Sequence, residues 1–320
     1  MNTRTLILMA TLLILGAAYF LFFYGKGNTS FGFDDTNFSI EDTASVDQIY
    51  LTRVIKGEEK LQLRLKQQGD NWEINEKYAA FQPRVIQLLS TVHRMRVREG
   101  LSEAAQASGL KFMDALHTRL DLYAKGKLIK SILVGTQTKD AKGTVMMLNG
   151  ANTPYVLEIP GIQSYLNVYF PMELDIWREN LLFNGKRDLI KAIHIAYDSL
   201  PEVRNLDLLN LDQSPIPQDG GFHKSSSLEA YLTLFKGKVF AETFATIPYP
   251  NKLGELKSRT ADITFGIDYV DGSSRTVHLY NRPENLNNYF AWIEGQEELL
   301  TVQRFVMDKF LQEKADFLND

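Results

Sequence analysis

The chain has no cysteine among its 320 residues. That excludes a disulfide framework, a thiolate metal site, a cysteine nucleophile and a lipid anchor on an acylated cysteine. Histidine is scarce, with five residues (His93, His117, His194, His223 and His278). None of the five shows HxH or HExxH spacing, so the sequence predicts no metal centre. An excess of positive charge is also missing, because the net charge is −4; nucleic acid is therefore not an expected partner. A glycine loop between a strand and a helix is absent too. "GKGNTS" has the residue types of a phosphate loop without its setting, and no G-x-S-x-G elbow marks a serine hydrolase. No cofactor and no catalytic residue is read from the motifs. The 44% apolar and 23% charged residues are those of a chain that buries a core.

Long apolar runs are lacking, with one exception. "TLILMATLLILGAAYFLFFY", residues 5–24, contains no charge and as a helix spans about 30 Å, the thickness of a bilayer's hydrocarbon core. Arg4 precedes it, while Asp34 and Asp35 follow, so the positive-inside rule puts the N-terminus in the cytoplasm and the body outside. The expectation is a signal anchor over residues 1–25 and a single pass of the inner membrane, with the body in the periplasm. A cleaved signal peptide, with Gly16 and Ala18 as the small residues of its cleavage site, is the alternative. Residues 26–45, rich in Gly, Ser, Thr, Asn and Asp, read as a spacer.

Beyond the spacer the apolar period is mostly two. "VDQIYLTRV", "LQLRLKQ" and "NWEIN" read as strands, the second with Leu61, Leu63 and Leu65 on one face. "TRLDLY" and "KLIKSILV" flank Ala124–Lys125–Gly126 as a hairpin; "GTVMMLNG" and "PYVLEIP" form another. Val85, Leu88, Leu89 and Val92 recur at helical spacing after Pro83. From His93 the period becomes two, with Met95 and Val97 facing inward and Arg94, Arg96 and Arg98 outward. The basic cluster is thus the outer face of a strand, with an anion-binding groove as the competing reading. At the C-terminus, Val302, Phe305, Val306 and Phe310 fit one helical face.

The second half echoes the first. Leu89, Val92, Val97 and Glu99 share their spacing with Leu232, Phe235, Phe240 and Glu242, 143 residues on. The same offset carries Leu120 and Leu122 onto Ile263 and Phe265, and an offset of 144 carries Val46, Ile49 and Leu51 onto Ile190, Ile193 and Ile195. The expected architecture is α+β: two related units, residues 46–180 and 187–320, of twisted, mainly antiparallel sheet with packed helices. Only the second unit carries "DQSPIPQDGGFHKSSS", residues 212–227, read as a loop without regular structure.

Two features are candidate interaction sites. One is Trp177–Arg178, where the bland alternative is a buried Trp beside an Arg paired with a carboxylate. The other is Phe222, His223 and Lys224 in the long loop, where the bland alternative is disorder. Acidic neighbours such as Glu173 and Asp175 make no acid/base pair by spacing alone.

"IEDTASVDQIYL", "NWEINEKYAA", "GKLIKSILVG", "GTVMMLNGANTPYVLEIPGIQSYL" and "LDIWRENLLF" resemble an uncharacterised family of membrane-anchored bacterial envelope proteins of the Bacteroidetes group. Relatives of that domain occur in auxiliary subunits of gliding-motility-type ABC transporters. The resemblance covers most of residues 38–184 and implies an anchor, an extracytoplasmic body and membership of an envelope assembly. The family has no agreed reaction. The expected function is a non-enzymatic scaffold or accessory subunit binding other envelope or membrane proteins. A module for cell-wall glycan or peptide is the second reading, and an envelope hydrolase the third.

Overall fold

A computed structural model describes residues 35–212 and 225–318. The apolar run 5–24 and the candidates Phe222, His223 and Lys224 lie outside the described residues. Among the described residues, no helix is long and apolar enough to cross a membrane.

The order is β1 (Gln48–Ile55), β2 (Glu58–Gln68), β3 (Asn71–Ile74), β4 (Tyr78–Ala79), α1 (Gln82–Arg94), β5 (Arg96–Gly100) and α2 (Glu103–Ala115). Then come β6 (Leu116–Ala124), β7 (Lys127–Gln137), β8 (Thr144–Leu148) and β9 (Tyr155–Glu158). These nine strands form one sheet in the order β4-β3-β2-β1-β6-β7-β8-β9-β5. The β6–β7 hairpin turns on Lys125 and Gly126, both at positive φ (51° and 74°), the geometry that matches the twist of its strands.

After β10 (Leu181–Asn184), the strands are β11 (Ile190–Tyr197), β12 (Leu206–Leu208), β13 (Lys238–Phe240) and β14 (Thr243–Phe244). The chain continues through β15 (Ile263–Tyr269), β16 (Ser274–Asn281), β17 (Asn288–Ile293) and β18 (Leu299–Gln303). Seven of them form a sheet ordered β12-β11-β15-β16-β17-β18-β14, and β10 pairs with β13 alone. The fold is therefore mixed α+β with antiparallel sheets, as the periodicity predicts.

Strand by strand, the second order repeats the order β2-β1-β6-β7-β8-β9-β5 of the first. The register repeats as well. Ile49 faces Leu122 and Leu51 faces Leu120, as Ile193 faces Ile267 and Ile195 faces Phe265. Ile132 faces Leu148 as Val277 faces Ile293, and Val145 faces Val156 as Phe290 faces Thr301. These partners set the offset at 144 for β1 and 145 for β6 to β9. Leu120 and Leu122 thus correspond to Phe265 and Ile267, two residues from the sequence expectation. A slip of two keeps the same side chains inward, so alternation alone cannot detect it. Likewise Glu99 corresponds in the ladder to Thr243, beside the expected Glu242.

Each sheet buries one face under a helix that follows its first strands. α1 lays Val85, Leu88 and Val92 on Ile49, Leu51, Leu120 and Leu122. The helix Ser225–Leu232 lays Tyr231 and Leu232 on the second core, with Phe235, Phe265 and Phe310. The opposite faces are covered by α2, through Met113 on Val145 and Met147, and by the helix Lys252–Lys257, through Leu253 and Leu256 on Phe290. Ahead of β1, Phe38 and Ile40 are already buried in the first core.

Four expectations need correction. α1 extends through His93 to Arg94, so the period changes two residues later than read; two basic groups favour a helix C-terminus. Met95, just ahead of β5, is buried and Arg96 exposed, but Val97 and Arg98 are only half-buried. Arg98 is held by Glu99 and Asp140. β5 has a single ladder partner, β9, so its arginines lie along a sheet edge, where charge discourages further pairing. At the C-terminus Val302 belongs to β18, while Phe305 sits in the short helix Arg304–Met307 and is 76% exposed. The continuous helical face is broken because residues 299–303 pair with β17. Finally, Ser225–Ser227, assigned to the long loop, open a helix; serine is at home at helix starts.

Candidate functional site

The described site residues meet where the two sheets join. Trp177 is fully buried and donates its indole N–H to the Pro171 carbonyl at 2.9 Å, a core role. Its backbone begins the junction: Phe81 N–H donates to the Trp177 carbonyl (2.7 Å) and Glu179 N–H to that of Ala79 (2.8 Å). Residues 177–180 thereby extend the edge of the nine-stranded sheet beyond β4, with an antiparallel bridge between Ala80 and Arg178. Asn180 then turns to the other half, exchanging bonds with Ala241 at 2.9 and 2.7 Å, and β10 follows against β13. The Phe81 and Phe240 rings meet edge-on at 5.1 Å across the seam.

Arg178 is the centre of this seam. Its guanidinium lies 3.9 Å from the Tyr78 ring centre and 4.2 Å from that of Phe244, and it binds the carboxylates of Asp175 and Glu298. Tyr78 comes from one sheet, Phe244 and Glu298 from the other. Two stacked rings and two carboxylates on one planar cation suit arginine and would not suit lysine. Tyr78 is placed by a tight turn, with Asn75 and Glu76 both at positive φ (54° and 56°). Asn75 secures that turn by exchanging hydrogen bonds of 2.8 Å with the Arg64 backbone.

A cavity of about 600 Å³ opens beside this clamp, lined by Lys77, Tyr78, Arg178, Asn180, Phe244 and Arg275 among others. It shares Lys77, Tyr78, Ala79 and Glu179 with a second cavity of about 330 Å³ that reaches Trp72 and Glu76. On the other side it shares Leu181 and Arg275 with a third, also about 330 Å³, that reaches Tyr269 and Asp271. Together the three form a groove along the seam.

The groove's central carboxylates are each engaged: Glu179 by Lys238, Glu297 by Lys257 and Glu298 by Arg178. Two cations are not. Among the described residues, Lys77 lies over the Tyr78 ring at 4.8 Å without a carboxylate, and Arg275 donates to the carbonyls of Leu182 (2.8 Å) and Leu181 (2.7 Å). Burial lowers the Arg275 pKa below its usual value. At the groove wall, Arg178 Nε and Asn180 Oδ1 are shielded from water without a hydrogen-bond partner.

Away from the seam, His194 lies between Asp207 (Nδ1–Oδ1 2.7 Å) and Asp268 (Nε2–Oδ2 3.2 Å) on the outer face of β11. In the first sheet the corresponding positions hold Tyr50, Arg64 and Tyr123, with the two rings 4.9 Å apart and Arg64 5.6 Å from the Tyr50 ring. Among the described residues, no group of three His, Cys, Asp or Glu is arranged to hold a metal.

Sequence reading singled out Trp177 and Arg178 but missed Tyr78, Phe244, Arg275 and Glu298. These come from elements up to 120 residues away, and no local spacing joins them. No family model matches the chain, and no curated protein or solved structure matches it.

Proposed function

We propose that this protein is a non-enzymatic scaffold or accessory subunit of an envelope assembly, associated with a transporter. Residues 5–24 would hold it at the inner membrane with its body in the periplasm. Tethering keeps such a body at high effective concentration toward membrane neighbours. The resemblance to membrane-anchored envelope proteins points the same way. The coincident strand order and register of the two sheets favour an origin by duplication, giving two related units.

One observation carries the scaffold reading. Leu286 (72%), between β16 and β17, and Phe305 (76%), just after β18, are exposed at one end of the seven-stranded sheet, and Ile247 (79%) is exposed in the segment after β14. These segments are tied together: Arg304 N–H donates to the Asn287 carbonyl at 2.8 Å, and Arg282 reaches the Tyr249 hydroxyl at 3.1 Å. Exposed apolar side chains on braced loops favour contact with another protein. The hydrolase reading lacks such support, since the seam's central carboxylates are already neutralised by cations. The glycan reading is weakened because Tyr78 and Phe244 each give a ring face to Arg178.

The test is a photo-crosslinking amino acid placed at Phe305 or Ile247 in intact cells, with exposed Glu58 as the control site. Defined adducts with an envelope protein from the first two and none from Glu58 are expected. Equal labelling from all three sites, or none from any, overturns the reading.

A further inference from the structure

We propose that the groove along the seam binds an extended acidic segment of the partner protein, with a carboxylate held in the central cavity by Lys77 and Arg275. This rests on the scaffold reading and adds a second, polar contact to its apolar one.

The shape favours a chain over a compact ligand. Three cavities share walls in series, from Trp72 at one end to Tyr269 at the other. An extended peptide covers about 3.3 Å per residue and suits a channel of this kind. The strand edge of β10 is not available for augmentation, because Arg275 takes the Leu181 and Leu182 carbonyls and Tyr269 Oη accepts the Asn184 N–H at 3.1 Å. Recognition therefore falls to side chains.

The charge favours an acid. Glu179, Glu297 and Glu298 already have cations, which leaves Lys77 and Arg275 as the cations of the central cavity without a carboxylate in direct contact among the described residues, although Glu179 is close enough to favour the Arg275 charge. Arg275 spends one side of its guanidinium on carbonyls, whose partial charge does not neutralise it. A carboxylate arriving beside it supplies a charge-assisted bond in a partly dehydrated place. Glu73 and Glu76 make the far end acidic, so the carboxylate belongs in the middle rather than there.

The test uses the full chain in detergent micelles. The probe is a fluorescein-labelled peptide, acetyl-Ala-Glu-Ala-Glu-Phe-Ala-amide, beside versions with Gln or Lys in place of Glu. Binding is followed by fluorescence polarisation at low and high salt. The acidic peptide is expected to bind at least about tenfold more tightly than the Gln version, with the preference shrinking as salt screens it. Lys77→Gln is expected to weaken acidic-peptide binding about fivefold and to leave the melting curve unchanged, since Lys77 braces no carbonyl. Arg275→Gln is expected to weaken it further, with melting checked because that side chain also holds β10. Equal binding of all three peptides, or acidic binding indifferent to Lys77→Gln, overturns the proposal. If that happens while Phe305 adducts persist, the scaffold reading stands and the groove assignment falls. If Phe305 adducts are lost while acidic peptide still binds, the scaffold reading falls and the partner's segment falls with it.

Discussion

Arg178 and Glu298, 120 residues apart in sequence, form an ion pair across the seam between the two sheets. The Arg178 side chain is 12% exposed and also bonds Asp175. Removing it leaves two carboxylates without a cation and two rings without their filling. Arg178→Ala is expected to cost about 3 kcal/mol. Glu298→Gln should cost less, because Asp175 remains. Urea unfolding of both variants and the double variant should give a coupling above about 0.5 kcal/mol; additive losses would mean the pair is not a strut.

The basic cluster at the end of α1 divides into a core position and a rim position. Met95 is fully buried and Met95→Ala is expected to cost about 2–5 kcal/mol. Arg96 is exposed but donates to the carbonyls of His93 (2.6 Å) and Met95 (2.8 Å) at the helix end. Arg96→Ser should therefore cost about 1 kcal/mol, the scale of a lost hydrogen bond. Thermal melts of the two variants separate the roles.

Close packing of α2 on the first sheet depends on Gly135. A Cβ there would lie 2.7 Å from the Val145 carbonyl oxygen and 3.0 Å from Met113 Cε. The backbone oxygen cannot swing away, so Gly135→Ala is expected to cost about 1–3 kcal/mol. Gly254, in the helix Lys252–Lys257, meets nothing within 4 Å. Gly254→Ala should stabilise by up to about 1 kcal/mol. Opposite shifts in melting temperature are the expected readout.

His194 makes stability depend on pH. Burial opposes its charge, but hydrogen bonds and attraction from Asp207 and Asp268 outweigh that and raise its pKa above the usual value. A raised histidine pKa stabilises the fold fully below the unfolded value of about 6.5, and the gain is lost as pH rises through the folded value. The stability difference between the parent and His194→Gln should thus be largest in mild acid and vanish in mild alkali. Its size stays small, because His194 and both partners are more than a third exposed and water screens them. Chemical unfolding across that pH range measures it.

Much of the strand layout was legible, and the reasons are local. "VDQIYLTRV" and "LQLRLKQ" alternate because one face of each rests on a core, although Leu61, read with Leu63 and Leu65 on that face, lies beyond the core's edge and is 46% exposed; the Lys125–Gly126 turn announces its own hairpin. α1 was legible from Val85, Leu88 and Val92. Helix α2 was not singled out, because "EAAQASGLKFMDA" buries only Gly109 and Met113 and leaves a weak stripe. The two-residue offset between Leu120 and Phe265 was invisible for the opposite reason, since the pattern fits either register. The seam was the least legible part. Arg178 drew notice, but Tyr78, Phe244 and Glu298 reach it only through pairing that sequence spacing does not encode.

β1 lies inside the nine-stranded sheet, with all eight residues paired to β6 on one side and to β2 on the other. Phe38 and Ile40, just ahead of it, are locked in the core. A pull on the chain ahead of residue 35 therefore meets two ladders loaded in shear, whose bonds must yield together rather than one after another. An edge strand would peel. Mechanical load entering from the N-terminal side is thus shared across the sheet, and resistance to it is set by the rate of forced unfolding more than by equilibrium stability.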